Sequence, residues 1–405
     1  MWNEKAITPI FYVRGMNTPY NEGHIQIVNS ISKALMTQNV QSIVFNYKYK
    51  LNENTKDEIS DLMRYDQSIP VVLREKVFHS GKKPIAIYSS LLETILSPNF
   101  FLAERKLKLN DKRYVTNVVN CFRYPRVLAK RLLNNPLVVH FYMRSASNGF
   151  FPGVIFEKAD KIIVSSKTVA IHIEKTRKIE AEKIQVIYPP IDVDFYRPLD
   201  KKKTRKIFGF QEDSKIILYI GNLGKNRFPE DIVLRTLSDL SKQNPLIRLL
   251  VFAPMTGENI QRLVEIRTKA KRLNLLDKIS VNTKNLSFNE KRMLYGLSDL
   301  FLFPSLDSGI ATEPPLTALE SMASGLPVIS NDLLSMKEII NEGTDGAIVS
   351  FNKNETEQLT SKISYCLENE DFLKNASHNS RRKIVDEMSL EVSGKKIMAF
   401  YRSLF

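Results

Sequence analysis

The chain has 405 residues, 43% hydrophobic and 25% charged, with a net charge of +15; it exceeds what one hydrophobic core normally supports, so two domains are expected. No window approaches the ~18 to 20 apolar residues of a membrane-spanning helix, and the first residues lack an apolar leader with a cleavage site. Cys121 and Cys366 stand alone in their halves without metal-ligand spacing, which argues against a disulfide framework or a zinc site and for a reducing cytoplasm.

Short apolar runs alternate with longer helical stretches, the pattern of parallel sheets wrapped by helices. In the first half the strands are expected at residues 6–13, 41–46, 84–88, 114–120, 137–141, 161–164 and 184–187, with helices between them such as 23–37 and 166–178. Residues 51–80 are irregular and receive no element. The stretch 188–200, with Pro189, Pro190 and Pro198, reads as the connection between domains. The lysine-rich run 201–206 beside it reads as a solvated charge cluster. The second half is expected to place strands at 216–220, 248–252, 279–281, 300–303, 328–329 and 347–349. Apolar residues recur at helical spacing in 390–405, so the last segment is expected to pack rather than fray.

The basic excess is concentrated in the first half, where 29 basic residues face 19 acidic ones. Between Arg105 and Arg131 stand Arg105, Lys106, Lys108, Lys112, Arg113, Arg123, Arg126, Lys130 and Arg131 against the single acid Asp111, with Leu107, Leu109, Tyr114, Phe122 and Tyr124 among them. That composition suits an anionic lipid surface, and equally a plain solvated basic face. No nucleic-acid-binding module is legible, so no nucleic acid partner is expected.

The most informative window runs from Phe303 to Ile329: a strand, a loop of small residues, a helix, a glycine stop and another strand. Pro314 or Pro315 marks the helix start and Gly325 its left-handed end. In an open parallel sheet, ligands bind at the carboxyl edge of the strands, where the free amides and positive end of such a helix suit a diphosphate. Prolines cannot donate, so Leu316 and Thr317 are the amide candidates, and Glu320, one turn later, could accept both hydroxyls of a ribose.

This window resembles the signature of glycosyltransferase family 4, with its Pro-Ser loop (Pro304-Ser305), a Leu-Glu-Ala-Met-Ala-like helix (Leu319-Glu320-Ser321-Met322-Ala323) and Gly-x-Pro-Val (Gly325–Val328). Residues 161–166, 184–196, 217–221 and 343–346 are similar to four further segments in the family's order. The resemblance covers most of the second half and the connector and is thinner in the first half. It implies an α/β chain of GT-B architecture: two Rossmann-like doubly wound parallel-sheet domains facing a central cleft. These are an acceptor domain over 1–190, a donor domain over 191–385, and a C-terminal helix over 386–405 packing back on the first domain.

Departures from the family pattern bear on the site. The family places two glutamates eight positions apart, but eight before Glu320 stands Thr312. Either Glu313 reaches the donor sugar or Thr312 has replaced that contact; Glu313 is the favoured choice. An arginine after the first donor-domain glycine and a lysine five residues on usually grip the diphosphate. Here Asn222 follows Gly221, Arg227 stands at the second position, and Lys225 shares the loop. Gly15 or Gly23 is expected to let backbone approach the transferred sugar. His140 lies where family members have a histidine on the donor sugar, against a core histidine as the competing reading, and Arg144 is the expected partner of an acceptor phosphate.

The resemblance therefore implies a retaining hexosyltransferase that uses a UDP- or GDP-sugar donor. It would need no metal or other cofactor, because charge on the departing diphosphate is neutralised by Arg227, Lys225 and the helix terminus. The expected acceptor is a saccharide or lipid-linked glycan at the inner face of the membrane. A nucleotide-sugar epimerase of the same architecture, or a sugar-nucleotide binding protein without catalysis, remains open at this point. Asp192-Val193-Asp194 superficially matches a metal-binding Asp-x-Asp, but its place in the connector favours a structural role. No phosphate-binding Walker loop, nucleophile elbow or His-Glu-x-x-His is present.

Overall fold

A computed structural model describes residues 7–14, 23–47, 71–74, 113–119, 135–144, 156–307, 312–351 and 354–405. The chain divides into two compact units, one of residues Met1–Pro190 with Leu390–Phe405 and the other Ile191–Ser389.

In the first unit the described strands are β1 (Ile7–Arg14), β2 (Ile43–Tyr47), β3 (Val71–Arg74), β4 (Arg113–Val119), β5 (Leu137–Phe141), β6 (Lys161–Val164) and β7 (Ile184–Val186). They form one parallel sheet in the order β3-β2-β1-β4-β5-β6-β7. Strand β3 falls in the region given no element, and the expected strand at 84–88 lies outside the described residues. Helix α1 (Gly23–Met36) follows β1. Helix α2 (Lys167–Arg177) starts at Ser166, whose hydroxyl accepts from the Val169 N–H at 3.2 Å, and ends at Lys178 in the left-handed conformation. The serine of the strand-then-serine segment is thus a helix cap.

The second unit contains α3 (Lys201–Ile207), β8 (Lys215–Ile220), α4 (Glu230–Gln243), β9 (Ile247–Ala253), α5 (Gly257–Arg272), β10 (Ile279–Thr283), α6 (Phe288–Leu297) and β11 (Leu300–Phe303). It continues with α7 (Leu316–Ala323), β12 (Val328–Asn331), α8 (Leu334–Ile339), β13 (Gly346–Val349), α9 (Glu355–Glu368) and α10 (Glu370–Met388). Its sheet is parallel throughout, in the order β10-β9-β8-β11-β12-β13. The strands are apolar on both faces, as a sheet covered on both sides requires, and Ile217, Tyr219, Leu249, Val251, Leu302 and Ile329 lie in one core cluster.

The chain then returns to the first unit as helix α11 (Leu390–Arg402), which buries Ile397, Met398, Phe400 and Tyr401. A Cβ at Gly394 would lie 2.2 Å from the carbonyl oxygen of Ala34, so only glycine lets α11 approach α1 this closely. The Ile191 N–H donates to the Met388 carbonyl at 2.8 Å, so the two ends of the second unit lie side by side.

The lysine-rich run is not simply solvated. Arg205 is 5% exposed and donates to Asp299 Oδ2 at 2.6 Å, while Lys201 pairs with Asp299 Oδ1 at 2.8 Å. Asp299 Oδ2 also accepts the Ile216 N–H at 2.7 Å. The charges at the amino edge of this sheet are therefore matched. Among the described residues, no helix is long and apolar enough to cross a membrane.

Candidate functional site

The strand order of the second sheet reverses between β8 and β11, and in a doubly wound sheet ligands bind outside the carboxyl ends of the strands at that reversal. Two loops leave this edge: residues 221–229 after β8, and the segment from Pro304 to Pro315 after β11.

The first loop has little freedom. Tyr219 folds beneath it, so a Cβ at Gly221 would lie 2.7 Å from the Tyr219 hydroxyl, and that hydroxyl donates to the Asn222 carbonyl at 2.5 Å. Asn222 Oδ1 accepts the Gly224 N–H at 2.9 Å. The Gly224 carbonyl accepts from the amides of Arg227 and Phe228 at 2.7 and 2.9 Å, and Phe228 is fully buried against Tyr219. The two loops also meet. The Asn226 carbonyl accepts the Leu306 N–H at 2.7 Å and lies 3.2 Å from the Ser305 hydroxyl, and Asn331 holds the Ser305 carbonyl at 3.1 Å.

Lys225 is exposed at the turn of this loop. The Arg227 guanidinium lies over the Phe303 ring, 5.0 Å from its centroid. Its Nη1 is buried without a hydrogen-bond partner among the described residues. A guanidinium N–H withdrawn from water and left unmatched is costly, and an anion at the strand edge would satisfy it. The cation pairs at the amino edge leave no comparable opening.

Helix α7 begins at Pro315, with the amides of Ala318 and Leu319 closing on the Pro315 carbonyl at 3.1 and 3.2 Å. Leu316 and Thr317 occupy the first two helical positions, whose amides have no intrahelical acceptor. Gly325 ends the helix at φ 73°.

Glu320 differs from expectation. Lys291 donates to Oε1 at 2.9 Å and to Oε2 at 2.8 Å, and the Tyr295 hydroxyl donates to Oε2 at 2.8 Å. Glu320 and Lys291 are 4% and 5% exposed. A carboxylate has about four acceptor sites, so one remains, on Oε1. That admits one ribose hydroxyl rather than the two expected. Burial, with Glu320 as the next cause, pushes the Tyr295 hydroxyl well above its usual value and keeps it a donor.

Glu313 is fully buried while Thr312 is half-exposed, so as folded the threonine is the more accessible of the two candidates for the donor sugar.

His140 is a core residue, and the sugar contact expected of it is corrected on this geometry. It is 0% exposed, with Nε2 2.8 Å from Asn117 Oδ1 and Nδ1 2.8 Å from the Tyr142 hydroxyl. Asn117 Nδ2 donates to the Val115 carbonyl at 3.1 Å, so Oδ1 faces the ring and Nε2 carries the proton. Burial lowers the imidazole pKa to about 3, so the ring is neutral and Nδ1 accepts from Tyr142. The Tyr401 hydroxyl of α11 also donates to Asn117 Oδ1, at 2.9 Å. Both ring nitrogens are thus spent on joining β4, β5 and α11.

Arg144 is half-exposed in the first unit, where burial and then the Arg144 charge hold His172 below its usual value. Gly23 opens α1. Gly15, Arg105, Lys106, Arg123, Arg126, Lys130 and Arg131 lie outside the described residues. Asp192 accepts the Phe195 N–H at 3.0 Å, closing a turn in the connector. Sequence reasoning missed Lys291 and Tyr295, which meet Glu320 only through folding. The one sequence signal there is the Ser287–Glu290 capping box that starts their helix.

Residues 200–383 match the family described as Glycosyl transferases group 1. That match lies within the second unit and covers less than half of the chain. A D-inositol 3-phosphate glycosyltransferase of Mycolicibacterium smegmatis is 25% identical to this chain over 195 residues, 48% of this chain and 43% of that relative. The chain thus spans under half the length of the curated relative it matches. Among solved structures, a glycosyltransferase from Rickettsia africae has a TM-score of 0.72 at 20% identity, with 98% of each chain covered. Anabaena HepE in complex with UDP has a TM-score of 0.72 at 16% identity, covering 98% of this chain and 100% of that one. These neighbours are GT-B glycosyltransferases, and the two parallel-sheet α/β units share that fold.

Proposed function

We propose that the chain is a retaining glycosyltransferase that moves a hexose from a UDP- or GDP-sugar to a saccharide or lipid-linked acceptor without a metal ion. The observation that carries the reading is Arg227: a guanidinium at the sheet reversal whose buried Nη1 has no partner among the described residues, beside the exposed Lys225. The donor diphosphate is assigned to this loop and to the amides of Leu316 and Thr317. HepE, of the same fold, was crystallised with UDP and with UDP-glucose, which supports a nucleotide at this edge.

As the bond from sugar to diphosphate breaks, negative charge grows on the leaving phosphate. Fixed cationic and amide donors stabilise that charge more than the ground state, and removing one such donor typically costs ~10²–10³ in rate. In front-face transfer the leaving phosphate takes the acceptor proton, so no protein base is required and the burial of His140 is no obstacle. Glu320 holds one ribose hydroxyl through Oε1, with Lys291 and Tyr295 fixing the orientation of the carboxylate. The first-glutamate role falls to Glu313 or Thr312. Gly15 and Gly23 are assigned to the sugar, and Arg144 to an acceptor phosphate.

The acceptor is assigned to the inner membrane face on the basic and aromatic composition around Arg105, Lys106, Arg123, Arg126, Lys130 and Arg131. Failure to bind anionic vesicles at low salt removes that assignment.

The direct test is thermal-shift screening against UDP- and GDP-sugars, followed by turnover with acceptor in the presence and absence of a chelator. A donor at a hundredfold excess over its dissociation constant stabilises by about 2.7 kcal/mol. No stabilisation by any donor contradicts the reading, and strict dependence on a divalent ion contradicts the metal-free mechanism.

A further inference from the structure

The loop bearing Lys225 and Arg227 is held from below by side chains of α5 that the proposed chemistry does not use. At its centre is the backbone of Leu223, a fully buried residue. Its N–H donates to Asn259 Oδ1 at 2.9 Å, and its carbonyl accepts from Arg262 Nε at 3.0 Å. Asn259 is itself fixed, since its Nδ2 donates to the Pro254 carbonyl at 2.8 Å, and it is 0% exposed. Arg262 turns its Nη2 onto Glu230 and its Nη1 onto Glu265. Glu230, at the first position of α4, also takes Lys269 Nζ at 2.7 Å.

The two peptide units that flank the buried Leu223 Cα are thus each gripped, by two side chains one helical turn apart, and one of these is locked by a buried ion pair. Leu223 lies two residues before Lys225 and four before Arg227. An ordinary surface loop needs no such anchoring, and the apolar Leu223 side chain alone would seat it. What the bonds add is orientation: they fix both peptide planes around Leu223, from which the loop runs on to the cationic residues, and pre-organised donors are the ones that stabilise a developing charge.

We propose that Asn259 and Arg262 are positioning residues for diphosphate binding, acting through the Leu223 backbone to hold Lys225 and Arg227 in place. This rests on the donor-loop reading above. It adds that affinity for the diphosphate is set by a helix that does not touch the ligand.

The test is a double-mutant cycle read by calorimetric titration of inorganic pyrophosphate into the full chain, using Asn259→Ala, Lys225→Ala and the double variant. A misplaced loop loses the benefit of its charges, so Asn259→Ala is expected to weaken binding about tenfold. Lys225→Ala is then expected to weaken it further by less than about twofold in that background, because coupled residues are non-additive. Hydrogen exchange gives a ligand-free readout: the Leu223 amide, protected in the wild type, exchanges faster in Asn259→Ala. Should that variant fold poorly, Arg262→Lys keeps a cation beside Glu230 but removes the Nε–H bond, and the same coupling is expected. Unchanged affinity, or effects of Asn259→Ala and Lys225→Ala that multiply in full, overturns the inference alone. A wild-type chain that takes up no pyrophosphate overturns the donor-loop reading and this inference with it.

Discussion

Replacing Lys291 with methionine probes the buried carboxylate of Glu320, to which the proposed ribose contact is assigned. In the wild type, two Nζ–Oε contacts of 2.9 and 2.8 Å join side chains that are 6% and 5% exposed. At an effective dielectric of about 20, unit charges at this separation attract by about 6 kcal/mol. Desolvation of both ions offsets much of that, but Lys291→Met removes only the cation and leaves Glu320 buried with a single bond from Tyr295. Breaking a buried pair from one side costs about 3–5 kcal/mol. For a unit of about 200 residues, each kcal/mol is worth roughly 2–4 °C, so the melting temperature is expected to fall by roughly 6–20 °C. Removing the stranded charge as well, in Lys291→Met with Glu320→Gln, is expected to recover at least about half of the loss. Denaturant unfolding of the four proteins measures this. A single-variant loss below about 1 kcal/mol, the range of exposed pairs, or no recovery in the double variant, refutes the argument that the pair is buried and mutually dependent.

His140 titrates at about 3 in the folded chain against an ordinary 6.5, so the unfolded chain binds a proton that the folded one refuses. Stability is therefore full above pH 6.5 and is lost as pH falls toward 3, with a slope approaching about 1.4 kcal/mol per pH unit; His140→Gln is expected to flatten that limb, and an unchanged profile contradicts it. Glu230 responds in a lower window. Burial pushes its carboxyl up, but hydrogen bonds from Arg262 and Lys269 outweigh this and bring it to about 2 from an ordinary 4.5. Its contribution is present above pH 4.5 and lost as pH falls toward 2, and an acid unfolding curve that Glu230→Gln leaves unmoved counts against it. At the donor sugar, exposure favours Thr312 over Glu313: Thr312→Val is expected to change the preference among donor sugars, and Glu313→Gln to lower stability first. A shifted sugar preference in Glu313→Gln with unchanged melting temperature reverses that assignment.

The alternation of short apolar runs with helical stretches made both parallel sheets legible. Strands 137–141, 161–164 and 300–303 were placed to the residue, because each is a short, mainly apolar run bounded by polar or turn residues. Strand β3 escaped notice since four residues, Val71–Arg74, show no period and lie in an irregular stretch. The glycine stop and double proline marked the two ends of α7, which starts after Pro315 and closes at Gly325. What the sequence could not show was which polar groups are already spent. Glu320 meets Lys291 29 positions away, and Leu223 meets Asn259 and Arg262 36 and 39 positions away, separations that helix periodicity cannot connect. On helical spacing Arg262 looks like a surface charge, although folding buries it. His140 was misread for the opposite reason: a histidine at a strand end looks available until the tyrosines and asparagine around it are in place.

Calorimetric titration of UDP and GDP into the wild type and Arg227→Gln addresses the central claim, that the loop after β8 holds a diphosphate through Arg227. The wild type is expected to bind one of the two, and loss of a charge-assisted bond is expected to weaken it by about tenfold to a hundredfold. Equal affinity in the two proteins would contradict the account.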